Sequence, residues 1–362
     1  MGCCKNPTNR MQKITYPFDD QMPKTGAAQV IHAGLKWVRM PLPFALDHIN
    51  LWLIRDCFEG RDGWTLVDCG VSNEASKDAW LSIFNTELEN LPIVRIIVTH
   101  MHPDHIGLAS WLSERWSAPL WMTMTDYVLA KWLSDPRGSE VGSVAGGGGA
   151  ADHFARHGLA NEEDLIKIRA RANYFSNMVP SVPPRFRRIM DQELIQIGGE
   201  DWQVLVGYGH APEHACLWCD ETQTLISGDM VLPRISTNVS VFDTEPDADP
   251  LGLYLDSLTS LKQLPEDVLV LPSHGKPFQG LHVRIEQLHA HHRDRLADTL
   301  AACKNSPQSA RDLIPVLFKR DLDLHQLTFA MGEAIAHLNH LWRGGYLLRE
   351  VCSDGVLRFS YL

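Results

Sequence analysis

Residues 93–108 read IVRIIVTHMHPDHIGL. The first six positions form a short apolar, β-branched run interrupted by one arginine, the pattern of a strand buried on both faces of a parallel sheet. The run ends in His100, His102, Asp104 and His105, side chains with metal-ligating chemistry crowded into one turn. Open α/β sheets place their sites in loops beyond the carboxyl ends of strands, so this segment predicts a fold class and the edge of it where chemistry occurs.

Upstream, LKWVRMPLP, INLWLIRD and WTLVDCG are strand-like runs separated by turn residues such as Asp62-Gly63, and predict an antiparallel meander. SNEASKDAWLSIFNTELENL then offers Ser72 or Asn73 as an N-cap and apolar residues at helical spacing. Downstream of the histidines, IGLASWLSERW and APLWMT continue as helix and strand, a β-α-β alternation. Between about residues 125 and 188 the pattern changes to DYVLAKWL, GSVAGGGGA and NEEDLIKIRARANYFSNMV, which predicts an inserted helical cap with a mobile glycine connector. No Lys-Ser or Lys-Thr follows those glycines, so they do not cradle phosphate. RFRR, at 185–188, reads as a solvated surface segment.

Strands resume with ELIQIGGEDWQVLVGYG, turning at Gly198-Gly199, and with HACLWCDETQTLISGD. Cys216 and Cys219 spell C-x-x-C but would point to opposite faces of a strand, which favours packing over redox chemistry. A helix, the strand DVLVLPSHG and the long helix GLHVRIEQLHAHHRDRLADTLAAC follow; His282, His289, His291 and His292 read as its solvated polar face. The remainder reads helix, helix, β-hairpin, a winged-helix-like order with Asp354-Gly355 at the wing turn. The divisions are an N-terminal extension at 1–33, a main domain at 34–295 containing the 125–188 cap, and a C-terminal helical domain at 296–362.

A chain of 362 residues with 44% hydrophobic content buries a large core. Its net charge of −11 disfavours nucleic acid and anionic membrane surfaces as main partners, since both call for a clustered basic face. A small-molecule substrate fits better. No stretch approaches a membrane span, and the start lacks an apolar signal core, so a cytoplasmic protein with reduced thiols is expected. Gly2, Cys3 and Cys4 precede Asn6 where the myristoylation pattern has Ser or Thr, so a frayed tail is expected there.

Zinc prefers imidazole nitrogen and carboxylate oxygen, and catalytic sites keep a position open for water. His100 and His102 can converge on one ion while Asp104 and His105 turn towards a second. His210 in GYGHAPEH, Asp229 in LISGDM and His274 in LPSHGKPF each follow an apolar strand and complete the candidate set. Two ions lower the pKa of a shared water, so hydroxide exists at neutral pH and can attack a carbonyl carbon, with Asp104 orienting it.

These motifs resemble the metallo-β-lactamase superfamily over roughly residues 34–295: THMHPDHIG matches H-x-H-x-D-H, WTLVDCG the early D-x-G element, GHAPEH the third motif, SGD the bridging aspartate and SHG the last ligand. The resemblance implies an αβ/βα sandwich with metals at one edge. It also implies that His100, His102 and His210 hold one metal, that Asp104, His105 and His274 hold the other, that Asp229 bridges them and that Asp68 orients the site. GHAPEHACLW is most similar to the glyoxalase II form of the third motif, with Ala211 and Glu213 as departures. The expected activity is hydrolysis of an ester, thioester or lactone with two Zn²⁺, or Fe or Mn in their place. The alternatives are an iron-dependent sulfur or thiol oxygenase, and a ligand-binding regulator with a DNA-reading tail. For the tail, packing within the chain or homodimer formation outweighs DNA reading.

Overall fold

The computed structural model describes residues 13–19, 21–44, 46–135 and 146–362. In its first sheet, β1 (Ala28–His32), β2 (Leu35–Pro41), β3 (His48–Phe58) and β4 (Arg61–Val67) pair antiparallel, β2 to β4 being the predicted meander. From β4 the sheet grows in parallel through β5 (Ile93–Ile97), β6 (Leu120–Met122) and β7 (Arg187–Arg188). The second sheet has the order β13-β12-β11-β10-β9-β8. Its strands are β8 (Leu194–Ile197), β9 (Glu200–Gly207), β10 (His214–Cys219), β11 (Thr224–Gly228), β12 (Leu269–Pro272) and β13 (Phe278–Gln279), with β11 and β12 parallel.

The sheets pack face to face on Trp37, Trp52, Val67 and Ile97 from one and Trp202, Leu217, Ile226 and Leu271 from the other. The outer face of the first sheet is covered by α1 (Glu74–Thr86), α3 (Ala109–Trp116), α4 (Met124–Ser134) and α7 (Tyr174–Met178), with the short α2 (Pro103–Ile106) leading into α3. The outer face of the second is covered by α5 (Gly148–Arg156), α6 (Glu162–Arg169), α8 (Pro250–Leu261), α9 (Leu281–Asn305), α10 (Ala310–Leu317) and α11 (Leu324–Arg343). The hairpin of β14 (Leu347–Val351) and β15 (Leu357–Tyr361) closes the chain. This is the αβ/βα sandwich. Because helices cover both faces, the central strands are apolar throughout rather than alternating, and all five residues of β5 are buried.

Arg95, the one charge in that run, is 2% exposed and donates to Asp56 at 2.6 Å, to Thr65 at 3.1 Å and to the Gln196 carbonyl of the second sheet at 2.8 Å. A buried charge is tolerated when paired and hydrogen-bonded in this way. Cys216 packs in the outer core and Cys219 in the inter-sheet core, the opposite faces their spacing predicts.

The structure departs from the sequence reading in four places. The presumed extension contributes β1 to the first sheet, and Thr15 bridges Gln279 at the far edge of the second; residues 1–12 lie outside the described residues. Of the glycine connector, 142–145 also lie outside them, but Gly146 and Gly147 are held against α6 and its end. Gly147 N donates to the Ile168 carbonyl at 2.9 Å, and a Cβ on Gly146 would lie 2.5 Å from Arg171 Cβ. These glycines therefore serve close approach. The cap is split: α4 and α7 belong to the core of the first sheet, whereas α5 and α6 pack with the C-terminal helices. Finally, α9 runs unbroken through residues 295 and 296, and His292 is buried against Tyr254 and His337 rather than solvated.

Beside that histidine pair, on α11, burial pushes the Glu333 carboxyl up to about 7, with Arg295 opposing. A carboxyl whose pKa is raised on folding binds more protons in the folded than in the unfolded chain between its ordinary value near 4.5 and about 7, so stability falls as pH rises through that window. Glu333→Gln is expected to raise the melting temperature at pH 8 and to leave it near wild type at pH 5. Equal shifts at both values would contradict this.

Candidate metal centre

All seven candidate donors stand at one edge of the sandwich, beyond the carboxyl ends of β5, β9, β11 and β12. Inter-sheet hydrogen bonds fix that edge. Ala215 N donates to the Thr99 carbonyl at 2.8 Å, Asn50 N to the Ser273 carbonyl at 2.7 Å, and the buried Asn50 side chain to the Pro272 carbonyl at 2.8 Å. After β5 the chain enters α2 with Pro103 at its first turn, where the missing N–H costs nothing. This tight entry puts Asp104 and His105 in a separate donor group from His100 and His102, with the His100 and His105 rings 3.9 Å apart.

The donors form two groups, His100, His102, His210 and Asp229 in one, and Asp104, His105 and His274 in the other, with ligand atoms inside each within 4.8 Å of one another. Asp229 reaches both: Oδ2 lies 3.3 Å from His210 Nε2 and 3.7 Å from His105 Nε2, and Oδ1 lies 3.4 Å from His274 Nε2. Histidine orientation is set from behind. His210 Nδ1 meets the Asn238 carbonyl at 2.7 Å, His274 Nδ1 the His48 carbonyl at 2.8 Å and His105 Nδ1 the Asp68 carboxylate at 2.8 Å. Each such bond places the N–H on Nδ1 and leaves the Nε2 lone pair facing inward, the arrangement a metal ligand needs. Asp68 also accepts from Thr99 N and Oγ1 and takes a left-handed backbone at φ 62, which aspartate tolerates better than most residues.

Burial, reinforced by neighbouring imidazoles, lowers the pKa of His100 and His102. Burial also opposes charge on His105 and His274, but there the carboxylates, Asp68, Asp104 and Asp229 for the first and Asp229 and Asp104 for the second, outweigh it and raise both. The pocket thus demands positive charge. Divalent cations fit it on two further observations: His105 Nε2 and Asp229 Oδ1 are buried without a hydrogen-bond partner, and His100 Nε2 sits 2.9 Å from His102 Nδ1 and 3.2 Å from His210 Nε2. Imidazole nitrogens converging in this way suit a shared cation.

Two site-building residues escaped the sequence reading. His214, fully buried, accepts from Asp229 N at 3.0 Å, and burial lowers it to about 3, keeping it a neutral acceptor. Gly228 is required beside it, since a Cβ there would lie 2.3 Å from the His214 ring, at φ 53. Asp126 of α4, also fully buried, accepts from Met101 N at 2.8 Å and Glu213 N at 2.7 Å, tying the two histidine loops together. Glu213, a departure from the glyoxalase II motif, accepts from Thr125 N at the start of α4. Asp126→Ala leaves two buried N–H groups without acceptors, at about 1–3 kcal/mol each. A loss of at least about 2 kcal/mol in denaturant unfolding is expected; an unchanged midpoint would show the loops hold without it.

Residues 45–274 match the metallo-beta-lactamase superfamily, and residues 296–362 match the metallo-beta-lactamase-like C-terminal domain. The chain belongs to the metallo-beta-lactamase superfamily. It is similar to a beta-lactamase domain protein from Burkholderia ambifaria, at 50% identity and a TM-score of 0.90 over 96% of this chain and 98% of that one. It is also similar to a metallo-beta-lactamase family protein from Thermus thermophilus, at 27% identity and a TM-score of 0.76 over 92% and 100% of the two chains. The probable metallo-hydrolase YqjP of Bacillus subtilis is 25% identical over 323 residues, 84% of this chain and 91% of that protein. Family and donor set together support a metal-dependent hydrolase. No helix among the described residues is long and apolar enough to cross a membrane.

Proposed function

We propose that this chain hydrolyses an ester, thioester or lactone of a small, largely apolar molecule, using two divalent cations, zinc in the first place. His100, His102 and His210 would hold one cation, Asp104, His105 and His274 the other, with Asp229 between them. When bound, such ions supply Lewis acidity and bring the pKa of water near neutrality. The chain's own residues do the rest. Asp104, its side chain 18% exposed and 3.5 Å from His274 Nε2, is the donor-set carboxylate most open to solvent and orients the attacking water. Burial first, and the Asp104 charge second, push the Tyr174 phenol up to about 12.

The observation that carries the substrate class is a cavity of about 300 Å³ that opens directly on His102 and His210. Met101, Leu129, Leu133, Val241, Phe242 and Leu253 give it apolar walls, and Asp243 and Glu245 lie at its margin. Such walls bind an apolar acyl or alcohol group, and the acidic margin repels an anionic one. On the Asp104 side, Tyr174, Phe44 and Phe329 gather around the His325 ring at centroid distances of 5.9, 5.4 and 4.9 Å and offer an aromatic flank. Aryl esters, acyl thioesters and lactones with and without a terminal carboxylate should be screened on the zinc-loaded protein. Turnover of neutral apolar substrates, with rejection of the carboxylate-bearing ones, is expected. Preference for the anionic members, or no hydrolysis of any, would overturn the proposal.

A further inference from the structure

We propose that the junction between α5 and the C-terminal hairpin is a binding site for a small phosphate-bearing molecule, separate from the metal centre. A cavity of about 340 Å³ lies there, bounded by His153, Arg156 and His157 at the end of α5, by Asp247 in the loop before α8, and by Arg349 on β14. It is on the far side of residues 245–249 from the substrate cavity: Glu245, Ala248 and Asp249 line that one, Pro246 and Asp247 this one.

The charge balance points to an anion. Arg349 donates to the Asp247 carboxylate at 2.6 Å while stacking on Trp342 at 3.6 Å, and Arg343 donates to the Asp247 carbonyl at 3.1 Å. The Arg349 hydrogen bond, with the charges of Arg349, Arg343 and Arg156 behind it, holds the Asp247 carboxyl below its ordinary value. Arg156 itself has no hydrogen-bond or ion-pair partner among the described residues. Two guanidinium groups, Arg349 and Arg156, and one carboxylate, Asp247, line the cavity, so about one positive charge stays uncompensated there, while Arg343, outside the lining, also faces Asp249.

Two buried histidines line the same cavity. His153 and His157 are 7% and 1% exposed, yet His153 Nε2 and His157 Nδ1 have no hydrogen-bond partner. Burial lowers them to about 4 and about 3, so both are neutral donors or acceptors rather than charges. Guanidinium forks match phosphate oxygens bidentately, and a phosphate anion meets the surplus that the single carboxylate leaves. Val351 and Leu357 give the cavity an apolar side for the body of the molecule.

The test is calorimetric titration of the metal-loaded full-length protein with inorganic phosphate and, separately, acetate. Saturable phosphate binding stronger than acetate binding is expected, weakened about tenfold or more by Arg349→Gln and by Arg156→Gln. The second variant is needed because Arg349 also packs on Trp342, whereas Arg156 is exposed and unpaired, so its replacement keeps the fold. Equal phosphate affinity of the wild type and Arg156→Gln would put the ion at the metal centre and overturn the proposal. So would acetate binding as tight as phosphate, or no phosphate binding.

Discussion

Asp229→Asn is expected to cut hydrolysis by at least about a hundredfold, roughly 3 kcal/mol of transition-state stabilisation, in a protein that still folds. The substitution keeps the shape of the side chain and removes its charge. Of the two donor carboxylates, Asp229 is the one that approaches histidines of both groups, at 3.3 Å from His210, 3.4 Å from His274 and 3.7 Å from His105. Burial opposes ionisation of the Asp229 carboxyl, yet those imidazoles outweigh it and hold the group far below its ordinary range. A neutral amide there presents one acceptor and one donor to a site built to hold positive charge, so both cation affinity and rate should fall. The backbone N–H to His214 is unaffected, which keeps the loop in place. Wild-type rates in the Asn variant would show that the reaction does not pass through this site.

Removing residues 306–362 is expected to leave no soluble, monomeric protein. Leu313, Ile314, Met331, Ile335, Leu338 and Phe359 are each at most 7% exposed and lie in one core with Leu258 of α8 and Leu288 of α9. Burying a side chain of this size contributes about 1.5–3 kcal/mol, so their combined loss is comparable with the whole net stability of a folded domain, about 5–15 kcal/mol. The truncated chain would also expose the apolar outer face of α8 and α9. Aggregation on expression is the expected result. A soluble truncation with an unchanged melting temperature would show that the tail is an independent module.

The central strands and the clustering of the candidate donors are legible in the sequence because their signals are local. IVRIIV is a buried strand in any α/β context, and the candidate donors follow apolar runs at equivalent topological positions in both halves. What the sequence conceals depends on partners distant along the chain. Asp126 and His214 are ordinary residues until Met101, Glu213 and Asp229 are folded against them. β1 carries a half-exposed edge-strand pattern with no strong apolar run. His292 reads as part of a polar face, but α11 covers it. A change of motif pattern marks the end of the main domain at 295, whereas the helix that carries this boundary spans both units without a break.

The most direct test of the two-cation account is stepwise zinc titration of the chelator-stripped protein, with bound metal and hydrolysis of the best panel substrate read on the same samples. Uptake close to two equivalents per chain is expected, with full activity requiring the second, and His274→Ala should reduce uptake towards one. Saturation at one equivalent with full activity, or hydrolysis that persists in the stripped protein, would contradict it.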